Sequence, residues 1–240
     1  MSIFSDIWSD VRSLMLQRSC SVCGVALPRG EAVICSVCEA TAPLTHMWEQ
    51  EQNPLLEHFA ALLPVERASA LLWYVEGSAW RQAIHRFKYG GHWRAAYRLG
   101  RWYGALLKQA GLYDDVDVVV PVPLHWLRRL WRGYNQSEYI AQGIARELGV
   151  EADVKSVQRY RYNRSQARRP HYLRWANVKG IFRVRHSEAF RGKHILLVDD
   201  VLTTGSTIIS LGESVLAAAP TVRLSVAVLA VPRQILHIGV

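Results

Sequence analysis

Asp199 and Asp200 are followed after two residues by Thr203-Thr204-Gly205-Ser206-Thr207, which sets two carboxylates beside a run of small hydroxyls. The run stands just before Ile208-Ile209-Ser210-Leu211, so the loop opens onto a helix. Backbone N–H groups at a helix N-terminus point outward with the positive end of the dipole, and hydroxyls add donors, so a phosphate dianion suits such a loop. Two carboxylates beside a phosphate repel it unless they face sugar hydroxyls or a divalent cation. A Walker-type loop is excluded, because no Gly-Lys-Ser/Thr follows the glycine. The plain alternative is a strand-to-helix turn in which Asp and Thr serve as caps.

A second constellation lies near the N-terminus. Cys20 and Cys23, then Cys35 and Cys38, form two Cys-x-x-Cys pairs with eleven residues between them. Four thiolates so spaced can hold Zn²⁺ tetrahedrally. Disulfides or a single redox pair are the alternatives, the first disfavoured in a reducing compartment. A closed Cys₄ site leaves no position for a substrate, so its role would be to hold a small ribbon that lacks a core of its own.

Positioning these residues requires strands and helices. Ile195 to Val198 is a short apolar run without alternation, as expected for a strand buried on both faces, and Val116 to Val120 reads the same way. Ala70 to Val75 and Val222 to Val231 supply further strands. Helices are expected from Ser78 to about Tyr89, from Trp93 to Ala110, up to about Leu148, and from about Ile208 to Ala219. Residues 1–19 carry Ile3, Ile7, Val11 and Leu14 on one helical stripe. Residues 41–68, with Pro43, Asn53-Pro54 and Pro64, read as a linker with a short helix around Leu55 to Leu63. Pro121 and Pro123 stiffen the loop Val122-Pro123-Leu124-His125, which suits a fixed cradle for an anion.

The 240 residues carry a formal charge of +9, and half are apolar. No apolar run approaches the ~18 residues of a membrane span, and the N-terminal stripe carries Asp6 and Asp10 in place of a signal-peptide core, so a cytoplasmic location is expected. Residues 125–191 hold 15 of the 29 Lys and Arg but only 5 of the 20 Asp and Glu. That concentration suits a polyanion, whether pyrophosphate in a pocket or a nucleic-acid backbone. Arg and Tyr interleave from Lys155 to Phe182, as in a single-stranded nucleic-acid groove, although a solvated loop has the same composition.

The stretch Ile195 to Thr207 closely resembles the phosphoribosyl pyrophosphate (PRPP) motif of type I phosphoribosyltransferases. The resemblance implies that Asp199 and Asp200 hold the ribose 2- and 3-hydroxyls and that Thr203, Thr204, Gly205, Ser206 and Thr207 wrap the 5-phosphate. The loop after the first core strand binds pyrophosphate in that superfamily, and Val122, Pro123, Leu124 and His125 take its place here. The double Cys-x-x-Cys, the Pro-Val-Pro-Leu loop, Trp131 to Ser137 and the acidic motif, in that order, resemble the ComF family, including GntX-type proteins. Arg161, Ser165, Gln166, Arg174 and Asn177 match further positions of relatives.

The fold expected is therefore α/β: a type I phosphoribosyltransferase-like, mainly parallel sheet over residues 69–240, with an N-terminal helix and Cys₄ zinc-ribbon region over 1–68. The resemblance implies PRPP or a related phosphoribosyl compound as ligand, Mg²⁺ with it, and a link to natural competence and DNA uptake. Asp199, Asp200 and Arg132 are expected at the reacting centre, and Arg161, Arg174 and Lys88 as cations on the substrate. A second reading makes the chain a non-catalytic, single-stranded-DNA-binding competence component with a regulatory or vestigial PRPP site, alongside competence or DNA-processing proteins. No residue pattern identifies an acceptor for the phosphoribosyl group.

Overall fold

A computed structural model describes residues 19–27, 34–88, 92–161 and 180–236. The N-terminal stripe of residues 1–18 and most of the basic–aromatic segment, Arg174 included, lie outside the described residues.

Five strands form the central sheet: β1 (Arg67–Trp73), β2 (Val118–Pro121), β3 (Glu151–Ala152), β6 (His194–Val201) and β7 (Arg223–Val231). Their order is β1-β7-β6-β2-β3 and every pairing is parallel. Alternate residues of β6 serve opposite faces, as the two-residue period of a strand requires. Leu196 and Val198 join a core with Leu72, Leu99, Tyr103, Ile140 and Ile144, while Ile195 and Leu197 join Leu55, Phe59, Leu63, Ile208 and Leu211. Because both faces are covered, the strand carries no polar alternation. A separate antiparallel ribbon, β4 (Val157–Arg159) with β5 (Phe182–Val184), was not visible in the sequence pattern.

Seven α-helices surround the strands among the described residues: α1 (Ser36–Ala40), α2 (Pro54–Ala60), α3 (Ala79–Arg86), α4 (Trp93–Ala110), α5 (Trp126–Arg132), α6 (Gln136–Leu148) and α7 (Ser206–Ala218). The expected bounds of α4 and the C-terminal end of α6 agree with these. The α5 helix was not anticipated. It buries none of its residues and so shows no apolar stripe; it exists because the His125 side chain accepts from Leu127 N at its start and Gly133, at φ 82°, ends it in the left-handed region.

The linker expected over residues 41–68 is instead packed. Asn53 caps α2 and donates to Ala68 O at 2.9 Å, and Leu55, Phe59 and Leu63 are buried. A Cβ at Gly212 of α7 would sit 2.5 Å from Leu63, so α7 lies directly on this segment. The absence of an amphipathic stripe and the several prolines concealed that packing from the sequence. On the other face α4 and α6 approach so closely that a Cβ at Gly143 would lie 2.2 Å from Tyr97 O, and one at Gly100 2.2 Å from Ile140 O.

At the N-terminal ends of the strands Arg67, Glu66, Asp115, Arg223 and the buried His194 form a closed charge network. Asp115 accepts from Arg67 at 2.7 Å and Arg223 at 3.0 Å, and its carboxylate lies 3.2 Å from His194 Nδ1. No helix among the described residues is long and apolar enough to cross a membrane.

Candidate functional site

The acidic pair stands where β6 outruns its neighbour. The last β2–β6 register pair is Pro121 with Val198, so Asp199 and Asp200 extend past β2 while β6 continues beside β7. Ligands gather at such C-terminal strand ends in parallel α/β sheets. Asp200 is 7% exposed, and its Oδ2 meets Lys88 Nζ at 3.0 Å and Gln136 Nε2 at 2.9 Å. The Asp199 Oδ1 accepts from Ser137 Oγ at 3.0 Å and from Asp200 N at 2.9 Å. Burial, and then the neighbouring Asp200 charge, push the Asp199 carboxyl up to about 7. Burial works against the charge of Lys88, yet Asp200 beside it holds its pKa above the ordinary lysine value.

Lys88 reaches this point because α3 ends just before it. Phe87 is buried, and its carbonyl accepts from Tyr134 Oη, which ties the turn to the start of α6. Arg132, at the end of α5, is close enough to repel Lys88 electrostatically.

The Thr203–Thr207 loop follows the carboxylates and frames a small concavity together with Asp199. Gly205 takes φ 71°, in the left-handed region that favours glycine, and precedes α7 without a side-chain cap. Thr204 Oγ1 and Ser206 Oγ lie 2.8 Å apart, while Thr203 is exposed. A Cβ on Gly205 would meet His58 and Phe59 of α2 at 3.4 Å, so α2 backs this loop. The first turn of α7 thus presents amide donors with no side-chain acceptor from its N-cap.

The Val122–His125 loop differs from a free cradle. Val122 N donates to Val198 O at 2.8 Å and Val122 O accepts from Asn135 Nδ2 at 3.0 Å. Pro123 has no N–H, and the His125 side chain is committed to capping α5. Arg161 is exposed, with its guanidinium over the Tyr160 ring at 5.5 Å.

Three contributors went unassigned in the sequence. Asn135 caps α6 through Ser137 N while clamping Val122, and Gln136 and Ser137 hold the two carboxylates. Their consecutive positions in Tyr134-Asn135-Gln136-Ser137, a capping residue followed by two side chains of the first helical turn, are the signal that could have found them.

The four cysteines lie 50 residues or more ahead of Lys88 in the sequence, and their unit meets α3. Their Sγ atoms all lie within 4.8 Å of one another. Val22 N and Cys35 N donate to Cys20 Sγ at 3.4 and 3.3 Å, and Cys38 N to Cys35 Sγ at 3.4 Å. Burial opposes ionisation of Cys20, but the surrounding amides bring it to about 6, whereas burial and the adjacent thiols push Cys38 above its ordinary value. Arg86 of α3 donates to Ser21 O and Val22 O, docking this unit to the body.

Residues 135–237 match the phosphoribosyl transferase domain family. Together with the parallel sheet and the acidic strand end, that match defines a phosphoribosyltransferase-type protein. Over 101 residues the chain is 40% identical to the DNA utilization protein YhgH of Salmonella typhi, covering 42% of this chain and 43% of that one. The matched stretch thus spans less than half the length of the first relatives. Over 213 residues it is 30% identical to the DNA utilization protein YhgH of Escherichia coli O6:H1, covering 82% of this chain and 90% of that one. Over 129 residues it is 30% identical to the Competence protein F of Haemophilus influenzae, covering 52% and 56% of the two chains. The chain belongs to the ComF family of phosphoribosyltransferase-type proteins.

Proposed function

We propose that the chain binds PRPP with Mg²⁺ and transfers its phosphoribosyl group in the cytoplasm, in the service of DNA uptake or utilization. The observation that carries this is the arrangement at the end of β6: two carboxylates held from α6 and by Lys88, followed by an uncapped helix start. Asp199 and Asp200 hold the ribose hydroxyls, and the amides and hydroxyls of residues 203–207 take the 5-phosphate. The donor set also suits a cation, since a carboxyl pushed up to about 7 by burial and then by its acidic neighbour gains from one. Mg²⁺ would neutralise charge on the departing pyrophosphate. Lys88 and Arg132 add positive charge beside it, and Lys88 shifts from Asp200 toward the ligand as the sugar arrives.

The cysteine cluster fits Zn²⁺ by its four soft donors and its amide-to-sulfur hydrogen bonds, and would be structural. In this reading the chain divides into an N-terminal cysteine unit and a phosphoribosyltransferase-like domain. The packing of residues 42–63 favours a boundary near residue 41 over one at residue 68.

A second reading, single-stranded DNA binding without turnover, draws on the interleaved Arg and Tyr of Lys155 to Phe182 as its groove, with α5 similar to it in composition. Trp126, Leu130 and Trp131 are 58%, 78% and 78% exposed beside three arginines, a surface on which bases can stack. Calorimetry with Mg²⁺-PRPP, then pyrophosphate release against a panel of bases, tests the first reading. The double variant Asp199→Asn with Asp200→Asn should abolish PRPP binding and spare DNA affinity. Replacing Arg164, Arg168 and Arg169 by Ala should weaken DNA binding and flatten its salt dependence. A wild-type chain with no PRPP affinity would sink the first reading; DNA affinity indifferent to the three arginines would sink the groove.

A further inference from the structure

We propose that Glu66, Asp115 and His194 ligate one Zn²⁺ ion, in a metal site separate from both the cysteine cluster and the acidic pair. Glu66 directly precedes β1, Asp115 stands just before β2, and His194 opens β6, whereas Asp199 and Asp200 lie toward the other end of β6. The site therefore stands at the opposite pole of the sheet and is independent of the PRPP reading.

One donor atom from each of the three residues lies within 4.8 Å of the other two. Proximity alone marks no site, and His194 supplies the further observation. Its side chain is fully buried, and Nδ1 makes no hydrogen bond to any described residue, although Asp115 Oδ2 stands 3.2 Å away. A proton on Nδ1 would be buried without an acceptor in line. The favoured tautomer thus carries its proton on Nε2, 2.8 Å from Ser225 Oγ, and Nδ1 turns a bare lone pair toward the carboxylates. Lone pair against carboxylate is repulsive unless a cation lies between them. The backbone that carries the ring is fixed as well. The Asp117 carboxylate accepts from His194 N at 2.7 Å, and Asp117 N donates to His194 O at 2.9 Å.

A cation already stands at this point. Arg223 Nη1 lies 3.2 Å from Glu66 Oε2 and 3.0 Å from Asp115 Oδ2, yet it leaves Nδ1 bare. A metal ion takes electron pairs from all three groups at once, and the Arg223 side chain, 45% exposed, has room to withdraw into solvent. Arg67 keeps the other oxygen of Asp115, Oδ1. The donor set selects the ion, since an imidazole with two carboxylates suits Zn²⁺, whereas Mg²⁺ and Ca²⁺ take oxygen donors. Donors about 2.1 Å from Zn²⁺ stand about 3.4 Å apart in a tetrahedron. The 3.2 Å between Asp115 Oδ2 and His194 Nδ1 is close to that edge. The half-exposed Glu66 side chain moves to close the remaining gap, and water takes the fourth position. Ser225 is the outer partner that fixes the imidazole. The ion would tie together the starts of β1, β2 and β6.

The test is zinc content of the full chain after equilibrium dialysis against a series of free Zn²⁺ concentrations. Wild type is compared with Glu66→Gln, Ser225→Ala and Arg223→Met, each with its melting temperature. The cysteine cluster is the same in all four and cancels in the comparison. Wild type is expected to hold one zinc more than Glu66→Gln at the same free Zn²⁺, which reads as a loss of at least about 10-fold in affinity at this site. Ser225→Ala should lose about 10-fold, and Arg223→Met, rid of the competing guanidinium, should gain about 10-fold. Added Zn²⁺ should also raise the melting temperature of wild type more than that of Glu66→Gln. Should the Ser225 or Arg223 variant fail to fold, Glu66→Gln, changed at a half-exposed side chain, decides against wild type. Equal zinc content and equal melting shifts in wild type and Glu66→Gln across the series would show an ion-pair network only and would overturn the proposal.

Discussion

At the scale of single residues, Asp199 is held in a state that favours ligand over stability. Its folded carboxyl is pushed up to about 7 by burial and by Asp200. Between the ordinary carboxylate pKa and about 7 the folded chain keeps a proton that the unfolded chain releases, so this group's contribution to stability falls as pH rises across that window. Asp199→Asn removes the penalty and should raise the melting temperature more at pH 8 than at pH 5, while abolishing PRPP binding. A melting temperature that shifts equally at both pH values would show that Asp199 is not the group responsible. The carboxylate pair and the 203–207 loop were legible in the sequence because their chemistry is carried by residue types within one short stretch. The roles of Gln136 and Ser137 were not, since each becomes relevant only through a contact made far along the chain, as Gln136 does with Asp200.

Among the elements, the pairing of α4 with α6 fixes the first turn of α6, from which the acids are held. Gly100 and Gly143 permit that approach, because any Cβ there would overlap backbone at 2.2 Å. Gly143→Ala should therefore destabilise the chain by about 1–3 kcal/mol through overpacking, lowering the melting temperature by roughly 2–10 °C. An unchanged melting curve would mean that the helices separate without cost. Helix α4 was readable end to end from its apolar periodicity and its closing Gly111. Helix α5 and the β4–β5 ribbon escaped because neither shows a periodic stripe: the first buries nothing, and the second has three residues per strand.

For the whole molecule, the cysteine unit and the site share α3. Arg86 donates to the Cys20–Cys23 loop, and Lys88, two residues on, meets Asp200. Freshly purified protein should carry one zinc per chain, and stripping it should lower both the melting temperature and PRPP affinity. Metal analysis showing no stoichiometric zinc would remove the site. The overall α/β class was legible from the two unbroken apolar strands, whereas the burial of residues 42–63 was not, because a segment that packs as an irregular layer leaves no repeating pattern. The order of the sheet has a consequence for how the chain is made. β1 has a single strand neighbour, β7, with Arg67 paired to Ser225, and its other edge takes only the short Leu44–Leu72 bridge. On the ribosome β1 must therefore wait without its sheet partner until nearly all the chain has emerged, and the sheet can close only by a contact between distant parts of the sequence.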